Sequence, residues 1–80
     1  MKYNLFKEVR LVRDIPEKKL KKGDVATVVD YHAANNFEDG YTLEVFNVFG
    51  DTMVIVTVAE SDIELLQENE IFCSRKLEAA

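Results

Sequence analysis

Eighty residues, 48% hydrophobic and 31% charged, make one globular domain and exclude both a disordered chain and a second domain of ordinary size. A net charge of −5 argues against a general phosphate-backbone binder, whose affinity comes from cations that neutralise phosphates. The single cysteine, Cys73, excludes a disulfide-framework protein, and the opening residues lack the unbroken apolar run of a signal peptide, so a soluble cytoplasmic protein is expected.

The charge is unevenly laid out. Residues 2–22 hold eight of the ten Lys and Arg and net +5, whereas residues 23–74 hold eleven carboxylates, no Lys or Arg, and net −11. Folding must lay this positive ribbon against the negative body or leave both for partners.

Residues 6–13 are expected to form a first strand, with Val9 and Leu11 on one face and Glu8 and Arg10 on the other. Pro16 breaks it, since proline lacks the ladder donor. Residues 17–22 follow as a lysine-rich loop pinned to the core by Leu20. After a Gly23-Asp24 turn, the β-branched run at 25–31 reads as a second strand. Residues 32–40 are polar and small, with Asn35-Asn36 and Asp39-Gly40 as turn chemistry.

Residues 41–48 and 52–59 then read as two strands joined by Phe49-Gly50-Asp51. Ser61 with a carboxylate three residues on resembles a capping box and predicts a helical turn; the same stretch would serve equally as a tight turn before a short closing strand at 63–66. The domain is expected to span residues 1–66. Residues 67–80 form a tail in which Ile71 and Phe72 could dock and residues 77–80 fray.

Five short strands at roughly ten-residue spacing indicate an all-β protein, a small barrel or sandwich with a short helical turn or tail near the C-terminus. One pattern is unusual. Along residues 52–59 both faces are apolar, Val54, Val56 and Val58 on one and Met53, Ile55 and Ala59 on the other. A half-solvated antiparallel sheet should alternate apolar with polar. Such strands need a second cover, from the tail, a second subunit or a partner, and homo-oligomerisation is one expected answer for a domain with so small a core.

The runs Val9-Arg10-Leu11-Val12-Arg13-Asp14, Leu20-Lys21-Lys22-Gly23-Asp24-Val25-Ala26-Thr27-Val28-Val29, Tyr41-Thr42-Leu43-Glu44-Val45-Phe46 and Gly50-Asp51-Thr52 have a shared grammar of strand, Gly-Asp turn, valine-rich strand and hairpin. In this the chain resembles the SH3-like barrels of short bacterial and photosynthetic accessory proteins. More narrowly, it is similar to an uncharacterised bacterial family, domain of unknown function 4926, over about residues 6–66. The resemblance implies a small SH3-like five-stranded barrel and is nearly silent on chemistry, because its motif residues are turns and core positions. Ala26 stands where such families usually have glycine, so the backbone there avoids positive φ.

No catalytic set emerges, and no metal or cofactor is implied. His32, the one histidine, lacks a partner at ligand or general-base spacing and is expected to be an exposed loop residue. Ser61 lacks a neighbouring histidine and reads as a cap, and Cys73 as an inert thiol. Asn35, Asn36, Glu38 and Asp39 offer oxygens without the spacing of a calcium loop.

A protein partner fits better. Tyr31, Phe37, Glu38, Asp39 and Tyr41 set aromatics beside carboxylates in and around one loop, as an interface with a steering rim would. The competing reading has Tyr31 and Tyr41 packed together as core. The expected function is thus a non-catalytic protein-binding module, an acidic accessory or antitoxin-like protein that engages a larger and more basic partner. The alternative is a nucleic-acid-associated barrel using Arg10, Arg13, Lys18, Lys19, Lys21 and Lys22, although that loop lacks the aromatics that stack bases. A third reading is a non-catalytic subunit of an enzyme complex.

Overall fold

The computed structural model describes residues 1–34 and 37–77. Its strands are β1 (Glu8–Leu11), β2 (Val25–His32), β3 (Gly40–Phe46), β4 (Thr52–Ala59) and β5 (Ile63–Leu65), with two 3-10 turns, η1 (Pro16–Lys18) and η2 (Glu60–Asp62). All pairings are antiparallel and build one sheet in the order β4-β3-β2-β1-β5. The protein is therefore all-β. Among the described residues no ladder joins β4 to β5, so hydrogen bonds do not close the sheet into a barrel. The three residues of η2, roughly 6 Å of 3-10 rise, still carry the chain from one edge strand to the other. The sheet must curl until its edges approach there, and irregularities near Val29 and between Val45 and Phe46 add local twist.

One face of every strand feeds a single core. β1 gives Val9 and Leu11, β2 Ala26 and Val28, β3 Tyr41 and Leu43, β4 Val58 and β5 Ile63. Ile15 and Leu20 join them as a bridged pair that closes the lysine loop, so Leu20 does pin that loop. Pro16 starts η1 and Lys19 ends it at φ +60, both suited to a tight reversal. Both readings of residues 61–66 are realised in sequence, with η2 leading into β5.

Several expectations are corrected. β1 begins at Glu8 because Phe6 sits at φ +66, a left-handed conformation that no strand continues through. β3 ends at Phe46 because Asn47 takes over the turn, its Oδ1 accepting from the N–H groups of Phe49 and Asp51 at 2.9 and 3.0 Å. Ser61 is not the cap. Asp62 reaches back to the Ala59 N–H at 3.1 Å, while Ser61 donates to Glu38. In the tail, Ile71 and Phe72 are exposed rather than docked, and Leu77 packs on the core rather than fraying. Asn35-Asn36 and residues 78–80 lie outside the described residues. Among the described residues no helix is long and apolar enough to cross a membrane.

Candidate functional site

The aromatic set expected to anchor a partner is mostly internal. Tyr41, centred on β3, is fully buried and packs against Tyr31 and Tyr3, with ring centroids 5.4 Å apart in each pair. Its hydroxyl accepts from the N–H groups of Lys2 and Tyr3 at 2.9 and 3.2 Å and donates to Glu60 at 2.9 Å. Burial, followed by the bond to Glu60, raises its pKa. Tyr41 is thus a structural hub with no exposed surface of its own. Tyr31 is half-buried beside it, and its hydroxyl donates to Asp39 Oδ2 at 2.5 Å. That bond to a carboxylate, aided by burial, pushes the Tyr31 pKa up to about 12 and holds Asp39 below its ordinary value.

The neighbouring carboxylates are also engaged. Glu38 accepts from the Ser61 N–H and hydroxyl at 2.9 and 2.7 Å, tying the loop before β3 to η2. Asp39 accepts from the Ala34 N–H as well, at 3.2 Å. Of the five residues only Phe37, 85% exposed, stands clear of the fold. Tyr3, which the sequence reading passed over, is buried and donates to the Ile63 carbonyl at 3.0 Å. Its signal was weak, a lone aromatic before the first strand.

The basic ribbon is partly neutralised by the acidic body. Arg10 bonds Glu64 at 2.6 Å and also Glu70, drawing the tail onto β1 and β5. Arg13 bonds Asp62 at 2.8 Å, and this guanidinium holds the Asp62 carboxyl below its ordinary range while its own pKa rises. Arg75 bonds Asp24 through Nε at 2.7 Å. Burial raises the Asp24 pKa, but the hydrogen bonds from Arg75 and the Lys21 N–H outweigh it and the carboxyl ends below its ordinary value. Arg10 and Arg13 are thus occupied within the fold. Lys18, Lys21 and Lys22 remain on the exposed loop, with Lys19 half-buried beside them.

The other half of the sheet looks different. Residues 25–60 carry six carboxylates and no Lys or Arg. Phe46 on β3, Met53 and Ile55 on β4, and Val48 and Phe49 in the turn are all exposed, the last two at 83% and 87%. This is the second apolar face foreseen on residues 52–59, and the described part of the tail does not cover it: Glu70 pairs with Arg10, Arg75 with Asp24, and Leu77 packs on the core. Toward the far end of this outer face lies a polar chain in which His32 Nε2 meets Thr42 Oγ1 at 2.8 Å and Thr42 meets Thr57 Oγ1 at 2.9 Å. Asp30 approaches the same Nε2 at 3.9 Å, so it does not orient the ring from Nδ1 as a catalytic triad requires. His32 ends β2 rather than sitting in the loop, but it is exposed as expected.

Fold and surface together define a small all-β domain with one ion-paired side and one apolar, acid-fringed side. The family described as a domain of unknown function (DUF4926) matches residues 5–65, and the chain belongs to that family. The match ends on Leu65, the last residue of β5. No curated protein and no solved structure matches the chain.

Proposed function

We propose that the protein is a non-catalytic protein-binding module, an acidic accessory or antitoxin-like protein that docks on a larger and more basic protein through the β3–β4 hairpin. One observation carries this reading: five large apolar side chains of one hairpin stand exposed, which is more than the scattered single exposures of an ordinary surface. The chemistry of the partner follows from the surroundings. Glu44 and Asp51 flank the apolar residues, and the whole of β2, β3 and β4 lacks a lysine or arginine. A basic rim around an apolar patch would be steered in by these charges and held by the aromatic contact of Phe46 and Phe49. Phe37, in the loop before β3, is a further exposed aromatic available to the same partner.

The test is co-purification of the tagged chain from its own host at moderate salt, with and without nuclease. A stoichiometric protein that survives nuclease supports the reading. Recovery of nucleic acid alone, with binding that weakens steeply as salt rises, points instead to the lysine loop and overturns it.

A further inference from the structure

β4 is the outermost strand of the sheet and is paired with β3 alone. From Met53 to Ala59 it carries no charge, proline or glycine. Edge strands are ordinarily protected by such residues, by brevity or by cover. The opposite edge has these protections: β5 is three residues long with Glu64 at its centre, and Arg10 ties the tail residue Glu70 to that side. β4 has none of them from Val54 to Val58; the irregularity at Met53 and the Asp62 carboxylate at the Ala59 N–H guard only its two ends.

Parity tells which of its backbone groups face outward. The Glu60 N–H donates to the Asp39 carbonyl at 2.8 Å, and bonded pairs alternate with non-bonded pairs along an antiparallel ladder. With Ala59 opposite Gly40 and Val58 opposite Tyr41, residues Val54, Val56 and Val58 bond to β3. Ile55, Thr57 and Ala59 therefore turn their N–H and C=O groups to the open edge. Asp62 meets the Ala59 N–H on that side, as parity requires. The outward groups of Ile55 and Thr57 meet no partner among the described residues.

We infer that β4 pairs with β4 of a second copy of this chain, antiparallel about a twofold axis through Val56. The axis sets Ile55 of each copy opposite Thr57 of the other, so the two outward residues satisfy one another. Val56 then meets its own counterpart and Val54 meets Val58, which adds cover to the half-buried Val54 and Val56.

Charge does not oppose this occupant, although each copy carries net −5. The paired stretch itself is uncharged, and the carboxylates at its ends, Asp51 and Glu60, fall opposite Ser61 and Thr52 rather than opposite each other. The Glu44 side chains, one strand in from each edge, lie three strand spacings apart, about 14 Å, beyond a Debye length of about 8 Å. Area sets the strength. The regular stretch from Val54 to Val58 gives a contact roughly 17 Å long and one sheet thick, well short of the ~800 Å² per partner of a standard interface. The dimer is accordingly reversible. It leaves the outer apolar face open and sets two such faces side by side, so it stands or falls separately from the hairpin's role in docking.

Sedimentation equilibrium of the full chain, from low micromolar to about 1 mM, is expected to show monomer and dimer in exchange. Thr57→Pro removes an outward N–H, together with the Thr57 hydroxyl bonded to Thr42, and leaves the β3–β4 ladder its bonds; it is expected to weaken dimerisation at least about tenfold. Ile55→Lys gives the same result if the proline variant does not fold. Register is read by cross-linking in a Cys73→Ser background. Mild oxidation should join Ile55→Cys chains to Thr57→Cys chains in a mixture and join neither kind to itself, because like positions lie beyond the ~7 Å Cα separation a disulfide allows. Monomer at every concentration, a dimer indifferent to both edge substitutions, or equal cross-linking in mixed and unmixed samples would overturn the pairing.

Discussion

The two sides of the sheet treat the same raw material differently. Around β1 and β5 carboxylates are matched with arginines, Arg10 with Glu64 and Glu70, Arg13 with Asp62, and Arg75 with Asp24. Around β3 and β4 no carboxylate forms an ion pair with arginine or lysine among the described residues, and the outer face is apolar instead. The first side spends its charge on holding the tail and the connections; the second leaves both charge and apolar surface available. The difference teaches that the sequence asymmetry between residues 2–22 and 23–74 is resolved only in part by folding, and the unresolved part is the surface proposed for docking.

The sharpest break of this comparison is a pair of truncations. Leu11→Ala removes a buried β1 side chain and is expected to cost about 2–5 kcal/mol by denaturant unfolding, whereas Phe49→Ala on the open side should change stability by less than about 0.5 kcal/mol. Equal costs would mean that the hairpin turn is part of the core. Tyr41→Phe comes next, at about 1–2 kcal/mol, because it strands the N–H groups of Lys2 and Tyr3 and the Glu60 carboxylate around a vanished hydroxyl. Faster amide exchange at Lys2 and Tyr3 in that variant would show that the hub ties down the start of the chain.

pH sharpens the comparison further. Asp24, Asp39 and Asp62 are all held below their ordinary pKa in the folded state, so the stability they supply is present above about pH 4 and is lost as pH falls through their folded values. Thermal melts of the wild type should drop on that acid limb, and Asp62→Asn should flatten it. Tyr31 acts at the other end. Its folded pKa is raised, so its contribution is complete below pH 10 and lost between about 10 and 12, a window that tyrosinate absorbance would reveal and Tyr31→Phe would erase. The smallest effect belongs to the surface pair: Arg10→Gln should cost no more than about 1 kcal/mol, diminishing further with salt, since both partners are partly solvated.

Much of the fold could be read from short apolar runs set between turn residues. β4 falls on the expected residues 52–59, and β2, marked by its β-branched run, and β5 lie within a residue of the expected ends. β1 and β3 were overextended because their ends are set by one left-handed residue, Phe6, and one side-chain turn, Asn47, and neither leaves a periodic trace. The apolar outer face of residues 52–59 was legible as surplus, and the structure shows it left uncovered. The tyrosine cluster was not resolved from sequence, because an aromatic beside carboxylates reads alike as a partner anchor and as a buried hydroxyl with its acceptor. Only the fold separates Tyr41, buried with Glu60, from Phe37, which is free. Likewise, the pairing of Arg10 and Arg13 with Glu64, Glu70 and Asp62 joins residues far apart in the chain, beyond any local pattern.

The most direct measurement is capture from the host lysate by three versions of the tagged chain in parallel: wild type, Phe49→Ser with Ile55→Ser on the hairpin, and Lys21→Ser with Lys22→Ser on the loop. The account predicts one nuclease-resistant protein held by the wild type and the loop variant and lost from the hairpin variant. A partner that ignores the hairpin substitutions and is lost with the lysines would contradict it.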